Sequence, residues 1–236
     1  MEPPYYHFMP LESHFDRGYG VIGDAYLEAA DELAKIEANE KRLHAHLPTN
    51  YLYRHAVELY LKSMIVMMHK RFEVSVNQPA PKPPRVTLNN KSWRFDKVHT
   101  VGGLWDCLNG LMNRHQAALK AVSNTDWSEL GKCEPWLKEI DAVDLTGTLQ
   151  KYPTSGNDVA DRQKASFKPM TVELLAKVLG SGGYVKALVL ENVDGSTESY
   201  MLDASPTKEL RETILQCVKL LSDAHFGMRC ELGSGR

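Results

Sequence analysis

The feature that most constrains the fold is an apolar segment, residues 51–69, that also carries charged side chains (YLYRHAVELYLKSMIVMMH). Apolar residues occur on nearly every side of a helix drawn through it, which is typical of a helix at the centre of a bundle. Arg54, Glu58 and Lys62 are nevertheless spaced four apart, so that each can pair with the next. A buried charge costs on the order of several kcal/mol unless it is paired. The sequence therefore predicts that this helix has a role besides apolar packing.

Two interpretations of this polar stripe are open. The charges form either a structural ion-pair network that fixes the packing of the helix, or a site in which a guanidinium, an imidazole and a carboxylate converge. In the second case Arg54, His55 and Glu58 are candidate catalytic residues, and Lys62 on the same stripe is a candidate RNA- or partner-binding residue. His99 is a further catalytic candidate, although it can equally bond a backbone group in the first turn of the next helix.

The rest of the chain predicts one helical domain of all-α class, residues 1–232. Asp24 is the expected N-cap of the first helix and Pro48 its expected end. An irregular arm is expected over 1–22, and the Asp194-Gly195 pair predicts one short β-hairpin within 184–202. Residues 233–236 are expected to be an appended linker. The predicted helices cover about 24–46, 50–72, 100–122, 126–143, 170–179 and 206–225.

A long Pro-rich loop is predicted over residues 74–98, and a loop of that length is functional or flexible. Between Lys70 and Lys97 there are seven Lys and Arg residues against two acidic residues. Trp93 lies between two of these basic residues, an arrangement that suits single-stranded nucleic acid or a partner surface. Alternatively, its ring packs down on the bundle. The loop residues predicted to bind RNA or a partner are Lys82, Arg85, Lys91, Trp93 and Arg94.

Composition excludes several classes of protein. A formal net charge of −2 argues against a protein that coats nucleic acid or an acidic membrane over its whole surface. No run of eighteen uncharged apolar residues is present, and the four cysteines form no C-x-x-C pair. His44 and His46 point about 200° apart on a helix and have no carboxylate at ligand spacing. We therefore expect a cytoplasmic protein that does not enter a membrane and holds no metal or other cofactor.

Three segments resemble the conserved segments of HEPN-like proteins of prokaryotes. The string YLYRHAVELYLK, residues 51–62, resembles their main helix. Val98-His99-Thr100 with Leu104-Trp105 resembles the start of the next long helix in that family. Ile140-Asp141 followed by Lys151-Tyr152-Pro153 resembles the segment after it. The resemblance covers roughly residues 50–155.

The resemblance implies an up-and-down helical bundle that forms a homodimer. Its catalytic members are metal-independent endoribonucleases whose Arg and His meet across the dimer interface, in antiviral defence or toxin–antitoxin systems. Their usual spacing places four to six residues between Arg and His, whereas His55 directly follows Arg54 here. The expected partners are a second copy, RNA, and a protein of the same system. The alternative is a non-catalytic interaction or assembly subunit of the same fold.

Overall fold

A computed structural model describes residues 6–40, 44–74, 82–152, 154, 156, 158–181, 187–202 and 205–233. This part of the chain is mostly helical, as predicted, and it also contains two small antiparallel sheets, which corrects the all-α class. The helices are α1 Tyr19–Glu40, α2 His46–Phe72, α3 Val101–Arg114, α4 Gln116–Val122, α5 Glu134–Val143, α6 Asp158–Lys164, α7 Val172–Gly180 and α8 Ser205–Gly233. The strands are β1 Arg85–Leu88, β2 Lys91–Arg94, β3 Phe167–Pro169, β4 Ala187–Glu191 and β5 Thr197–Leu202.

Helix α2 is the central element, because it packs against α1, α3 and α8. Its apolar side chains are buried on all sides, and Leu61, Met64 and Met67 have no exposed surface. This confirms the central position that the apolar run predicts. The helix begins earlier than expected, at His46, so Pro48 lies in its first turn rather than at the end of α1. A proline is tolerated there because the first backbone N–H groups of a helix have no intrahelical acceptor.

The N-terminal arm is shorter than predicted, because α1 begins at Tyr19 and not after Asp24. Asp16 accepts hydrogen bonds from the backbone N–H groups of Gly18 (2.9 Å) and Gly20 (2.5 Å) at this helix start. Asp24 lies inside the helix, where it accepts a hydrogen bond from the hydroxyl of Tyr60 at 2.7 Å. At the other end of the chain Gly233 is buried as the last residue of α8, and residues 234–236 lie outside the described residues.

The predicted basic loop contains the hairpin β1–β2, which the sequence analysis missed. Asn89 and Asn90 have φ values of 50° and 61°, as in the two-residue turns that match the twist of a hairpin. The adjacent asparagines are therefore the signal that identifies it. The part of the loop over residues 75–81 lies outside the described residues.

The hairpin predicted within 184–202 is confirmed as β4–β5, with Gly195 at φ 80° in the turn. Strand β3 pairs with the other edge of β5 and completes a three-stranded sheet, in the order β3-β5-β4. The helix predicted over 100–122 is interrupted at His115, where α3 ends and α4 begins.

Candidate functional site

The charges of α2 form a buried network centred on Glu58. Oxygen Oε2 of Glu58 accepts from Nη1 of Arg54 at 3.2 Å, and Oε1 accepts from Nζ of Lys62 at 2.8 Å. All three side chains are 5 % exposed or less. Burial alone would raise the pKa of Glu58, but the Lys62 ammonium and then the Arg54 guanidinium lower it below its usual value. Glu58 is therefore an ionised acceptor inside the protein at neutral pH.

Arg54 joins α2 to the segments before α3 and after α5. Its Nη2 donates to the backbone carbonyl of His99 at 2.7 Å and to that of Asp144 at 3.2 Å. Its Nε lies 3.6 Å from Oδ2 of Asp144. Gly147, at φ 71°, passes so close that a Cβ there would lie 2.5 Å from Nη1 of Arg54. The guanidinium thus acts as a clamp between three segments of the chain.

Two aspartates of the α5 end complete this clamp. Asp141 accepts from the backbone N–H groups of Val101 (3.0 Å) and Gly102 (2.8 Å), and so caps the start of α3. Burial is the main reason that the pKa of Asp141 is raised. Asp144 accepts from the backbone N–H groups of Thr148 and Leu149. Parts of all three segments that carry the family resemblance therefore meet here.

His99 is the member of the network that reaches the surface. Its Nδ1 lies 3.0 Å from Oε1 of Glu58, while 54 % of its side chain is exposed. Because an ionised carboxylate only accepts, Nδ1 carries a proton and donates it. In the neutral ring Nε2 then keeps its lone pair, and no hydrogen bond from Nε2 is present in the described part of the chain. A carboxylate behind an exposed imidazole is the arrangement that orients a histidine as a proton acceptor.

The exposed side of His99 lines a groove of about 550 Å³, which we call the His99 groove. The groove is lined by Lys91 and Trp93 of β2, by Lys97, and by Leu145 and Thr146 after α5. Trp93 is 47 % exposed, so part of its ring is open to a ligand. Lys91 and Lys97 are exposed as well. The groove therefore offers two ammonium groups, one aromatic face and one oriented imidazole.

The other predicted loop residues do not line this groove. In the β1–β2 register Arg85 lies opposite Arg94, whereas Trp93 lies opposite Val86, so the two arginines share the hairpin face away from Trp93. Arg85 donates to the side chain and backbone of Ser92, and Arg94 makes two 3.0 Å hydrogen bonds to Asp96. Lys82 is exposed and also lies outside the groove lining. The predicted binding residues of the loop therefore lie on two surfaces, with Lys91 and Trp93 on the His99 groove and Arg85 and Arg94 on the other face of the hairpin.

Within the chain Arg54 and His55 do not meet, and a pairing of Arg54 with His55 or His99 across a dimer stays a prediction. His55 stacks on Tyr51 with 5.8 Å between ring centroids and meets Tyr26 edge-on at 4.5 Å. Its half-buried position lowers its pKa, so the ring is neutral at pH 7. Arg54 is 3 % exposed and is enclosed by its partners within the chain. Lys97 also lines the groove, and the sequence analysis did not select it. Its position two residues before His99 could have identified it as a candidate.

Within the described residues no three His, Cys, Asp or Glu side chains are grouped so as to hold a metal ion. None of the helices in that part of the chain combines the length and apolarity needed to cross a membrane. Comparison of the chain with protein-family models, with curated proteins and with solved structures finds no match.

Proposed function

We propose that the protein binds single-stranded RNA in the His99 groove. The observation that carries the proposal is a groove lined by the exposed side chains of Lys91, Trp93 and Lys97, beside the imidazole of His99. Ammonium groups attract phosphates and an open indole face stacks on a base. A single strand suits this arrangement better than a duplex, because its bases are free to leave the stack.

The resemblance to HEPN-like proteins supports RNA as the ligand and a prokaryotic defence or toxin–antitoxin system as the setting. A cytoplasmic homodimer belongs to the same proposal. Arg54 and Lys62, which the sequence analysis assigned to catalysis and to binding, become positioning residues in it, because both are buried beneath the groove. The groups that meet the phosphates are Lys91 and Lys97.

The binding proposal is tested by fluorescence anisotropy with an end-labelled single-stranded RNA at low salt. We expect the Lys91→Ala/Lys97→Ala double variant to lose about tenfold or more in affinity and to show a shallower salt dependence. Trp93→Ala is expected to weaken binding by about 1–3 kcal/mol, the usual contribution of one stacked base. The matched control is Lys138→Ala/Lys208→Ala, which removes two exposed lysines of α5 and α8. Wild-type protein that binds no RNA, or equal losses in both double variants, would contradict the proposal.

Cleavage of the bound RNA is the second function, favoured by the hydrogen bond from Nδ1 of His99 to Glu58. In this reaction Nε2 accepts the proton of a ribose 2′-hydroxyl, and the 2′-oxygen attacks the adjacent phosphorus. The bond to the 5′-oxygen breaks, and that oxygen takes a proton from water. The products are a 2′,3′-cyclic phosphate and a free 5′-hydroxyl.

The cleavage test is incubation with RNA in the presence of a chelator, followed by analysis of the product ends. His99→Ala is expected to bind RNA with nearly unchanged affinity and to produce no cyclic phosphate. Cleavage that persists in His99→Ala, with folding confirmed by circular dichroism, would exclude His99 as the proton acceptor.

A non-catalytic assembly subunit is the competing function, and the complete internal pairing of Glu58 favours it, since such a network can serve only the fold. An assembly subunit would form a stable complex with a protein of its own system and would leave RNA intact. The two experiments above distinguish it from an RNA-binding protein.

A further inference from the structure

A second cleft, which contains two arginines, lies on the other side of the β1–β2 hairpin. It has a volume of about 490 Å³ and is formed by the C-terminal ends of α2 and α3 together with β1. We call it the Glu73 cleft, after the carboxylate that contacts His69 and Arg114. Its polar lining consists of His69, Glu73, Arg85, Thr87, Asp106 and Arg114.

Glu73 holds the basic side chains of this cleft in place. One of its oxygens lies 2.9 Å from Nδ1 of His69, and the other accepts from Nη1 of Arg114 and lies 3.5 Å from Nε2 of His115. The ring of His115 also stacks on Phe72, with 5.4 Å between centroids, which further fixes the position of His115. Arg114 therefore has a defined position, although 64 % of its side chain is exposed.

His69 is held in place at the cleft by contacts of both ring nitrogens. Its Nδ1 faces the carboxylate of Glu73, and its Nε2 lies 2.9 Å from the backbone carbonyl of Lys82. The groups of the lining that can meet a phosphate are the guanidinium groups of Arg85 and Arg114.

The two clefts lie along α3. The His99 groove is at its start, where Leu88 of β1 packs against Gly103, and the Glu73 cleft extends from Asp106 to the last residue, Arg114. At a rise of about 1.5 Å per residue the fourteen-residue helix places Arg114 about 20 Å from the groove. Strand β1 runs between them, with Cys107 of α3 donating to the backbone carbonyl of Arg85. An extended strand of a few nucleotides can span this distance.

We propose that the Glu73 cleft is a second phosphate subsite for the RNA strand bound in the His99 groove, with Arg114 as its main phosphate contact. This inference rests on the proposed function. An arginine fork suits a phosphate, and Glu73 fixes the position of the Arg114 fork while most of that side chain stays exposed. RNA long enough to follow the hairpin contacts both clefts, whereas a short RNA occupies only the His99 groove.

The experiment compares an RNA tetramer with a dodecamer of the same composition, both end-labelled, on wild-type protein and on Arg114→Gln. We expect the variant to bind the dodecamer roughly tenfold more weakly and with a salt slope lower by about 0.7, as for the loss of one single-strand phosphate contact. Its affinity for the tetramer is expected to equal that of the wild type. Lys138→Ala is the control for loss of one exposed charge, and circular dichroism confirms folding.

Each result has one meaning. Equal losses on tetramer and dodecamer, or no loss on either, overturn the second subsite and leave RNA binding in the His99 groove standing. Wild-type protein that binds neither RNA overturns the proposed function and this inference together. A loss confined to the dodecamer supports both.

Discussion

Helix α2 contributes to two buried polar clusters, and the difference between them separates a structural cluster from a candidate site. The first, around Glu58, joins α2 to the start of α3 and the end of α5. The second forms around Asp16 of the N-terminal arm, where Oδ2 accepts from the hydroxyl of Ser63 at 2.6 Å. His225 of α8 closes the second cluster, with its Nε2 3.7 Å from the same oxygen.

Both clusters satisfy a buried carboxylate, but only one of them reaches the surface. Asp16, Ser63 and His225 are 2 % exposed or less, so no ligand can reach them. In the Glu58 cluster the imidazole of His99 is more than half exposed and lines a groove. Burial of charge on a helix is therefore insufficient to predict a site, and a path from the charge to the surface is the second requirement.

The largest effect is expected from Arg54→Ala in the Glu58 cluster. Its loss leaves Glu58 with one cationic partner fewer and removes the donor from the carbonyls of His99 and Asp144. The free energy of unfolding should fall by about 3–5 kcal/mol, as for other broken buried ion pairs, measured by urea denaturation. Arg94→Ala, which breaks an exposed pair with Asp96, is the control and should cost less than about 1 kcal/mol. Similar losses in both variants would show that the buried network adds no special stability.

In the Asp16 cluster the expected effect depends on pH. Burial alone would raise the pKa of Asp16, but the imidazole of His225 beside it and the hydrogen bonds from Ser63 and the backbone of Gly20 lower it to about 2 from an ordinary 3.8. The folded state favours the ionised carboxylate of Asp16. Its contribution to stability is therefore complete at pH values above the ordinary pKa, and it is lost as the pH falls through the lower pKa of the folded state. Stability should therefore drop by about 2 kcal/mol between pH 3.8 and 2. Asp16→Asn should lack this portion of the acid-induced loss, and an unchanged pH profile would refute the assignment.

A smaller effect tests how closely Arg54 is held. Gly147→Ala introduces a Cβ 2.5 Å from Nη1 of Arg54, whereas Gly156→Ala at a similar positive φ meets no atom within 4 Å. Both variants carry the strain of a positive φ, on the order of 1–3 kcal/mol. The free energy of unfolding of Gly147→Ala should be lower than that of Gly156→Ala by about 1 kcal/mol, the cost of displacing the guanidinium. Equal values would mean that Arg54 moves aside freely.

The smallest stability effect is expected at His99, where the proposed functional effect is large. His99→Ala should change the free energy of unfolding by less than about 1 kcal/mol, because the ring is half exposed and Glu58 keeps Lys62 and Arg54. His225→Ala in the sealed cluster should cost about 2 kcal/mol or more, since it removes a fully buried ring. Thermal or urea unfolding measures the stability of both variants. A larger loss of stability in His99→Ala than in His225→Ala would contradict the distinction between the two clusters.

Sequence patterns predicted the structure correctly where that structure depends on residues close together in the chain. The apolar run of α2, the intervals of four among its charges and the Asp194-Gly195 turn each specify a local geometry, and the structure contains each of them. The hairpin β1–β2 was predictable from Asn89-Asn90 but was obscured by the surrounding prolines. Arg54 and His55 do not meet within the chain, because adjacent residues on a helix point in directions about 100° apart.

By itself, the sequence determined that α2 is central and that its charges must be paired, because helical periodicity and the cost of burying charge are local properties. Only the tertiary structure decided which partners they have. Asp144 and His99 lie ninety and forty-five residues from Arg54, and no spacing rule connects them. Likewise, only the packing of β2 beside His99 placed Lys91 and Trp93 on one groove, since exposure depends on which elements cover a residue and not on its neighbours in the chain.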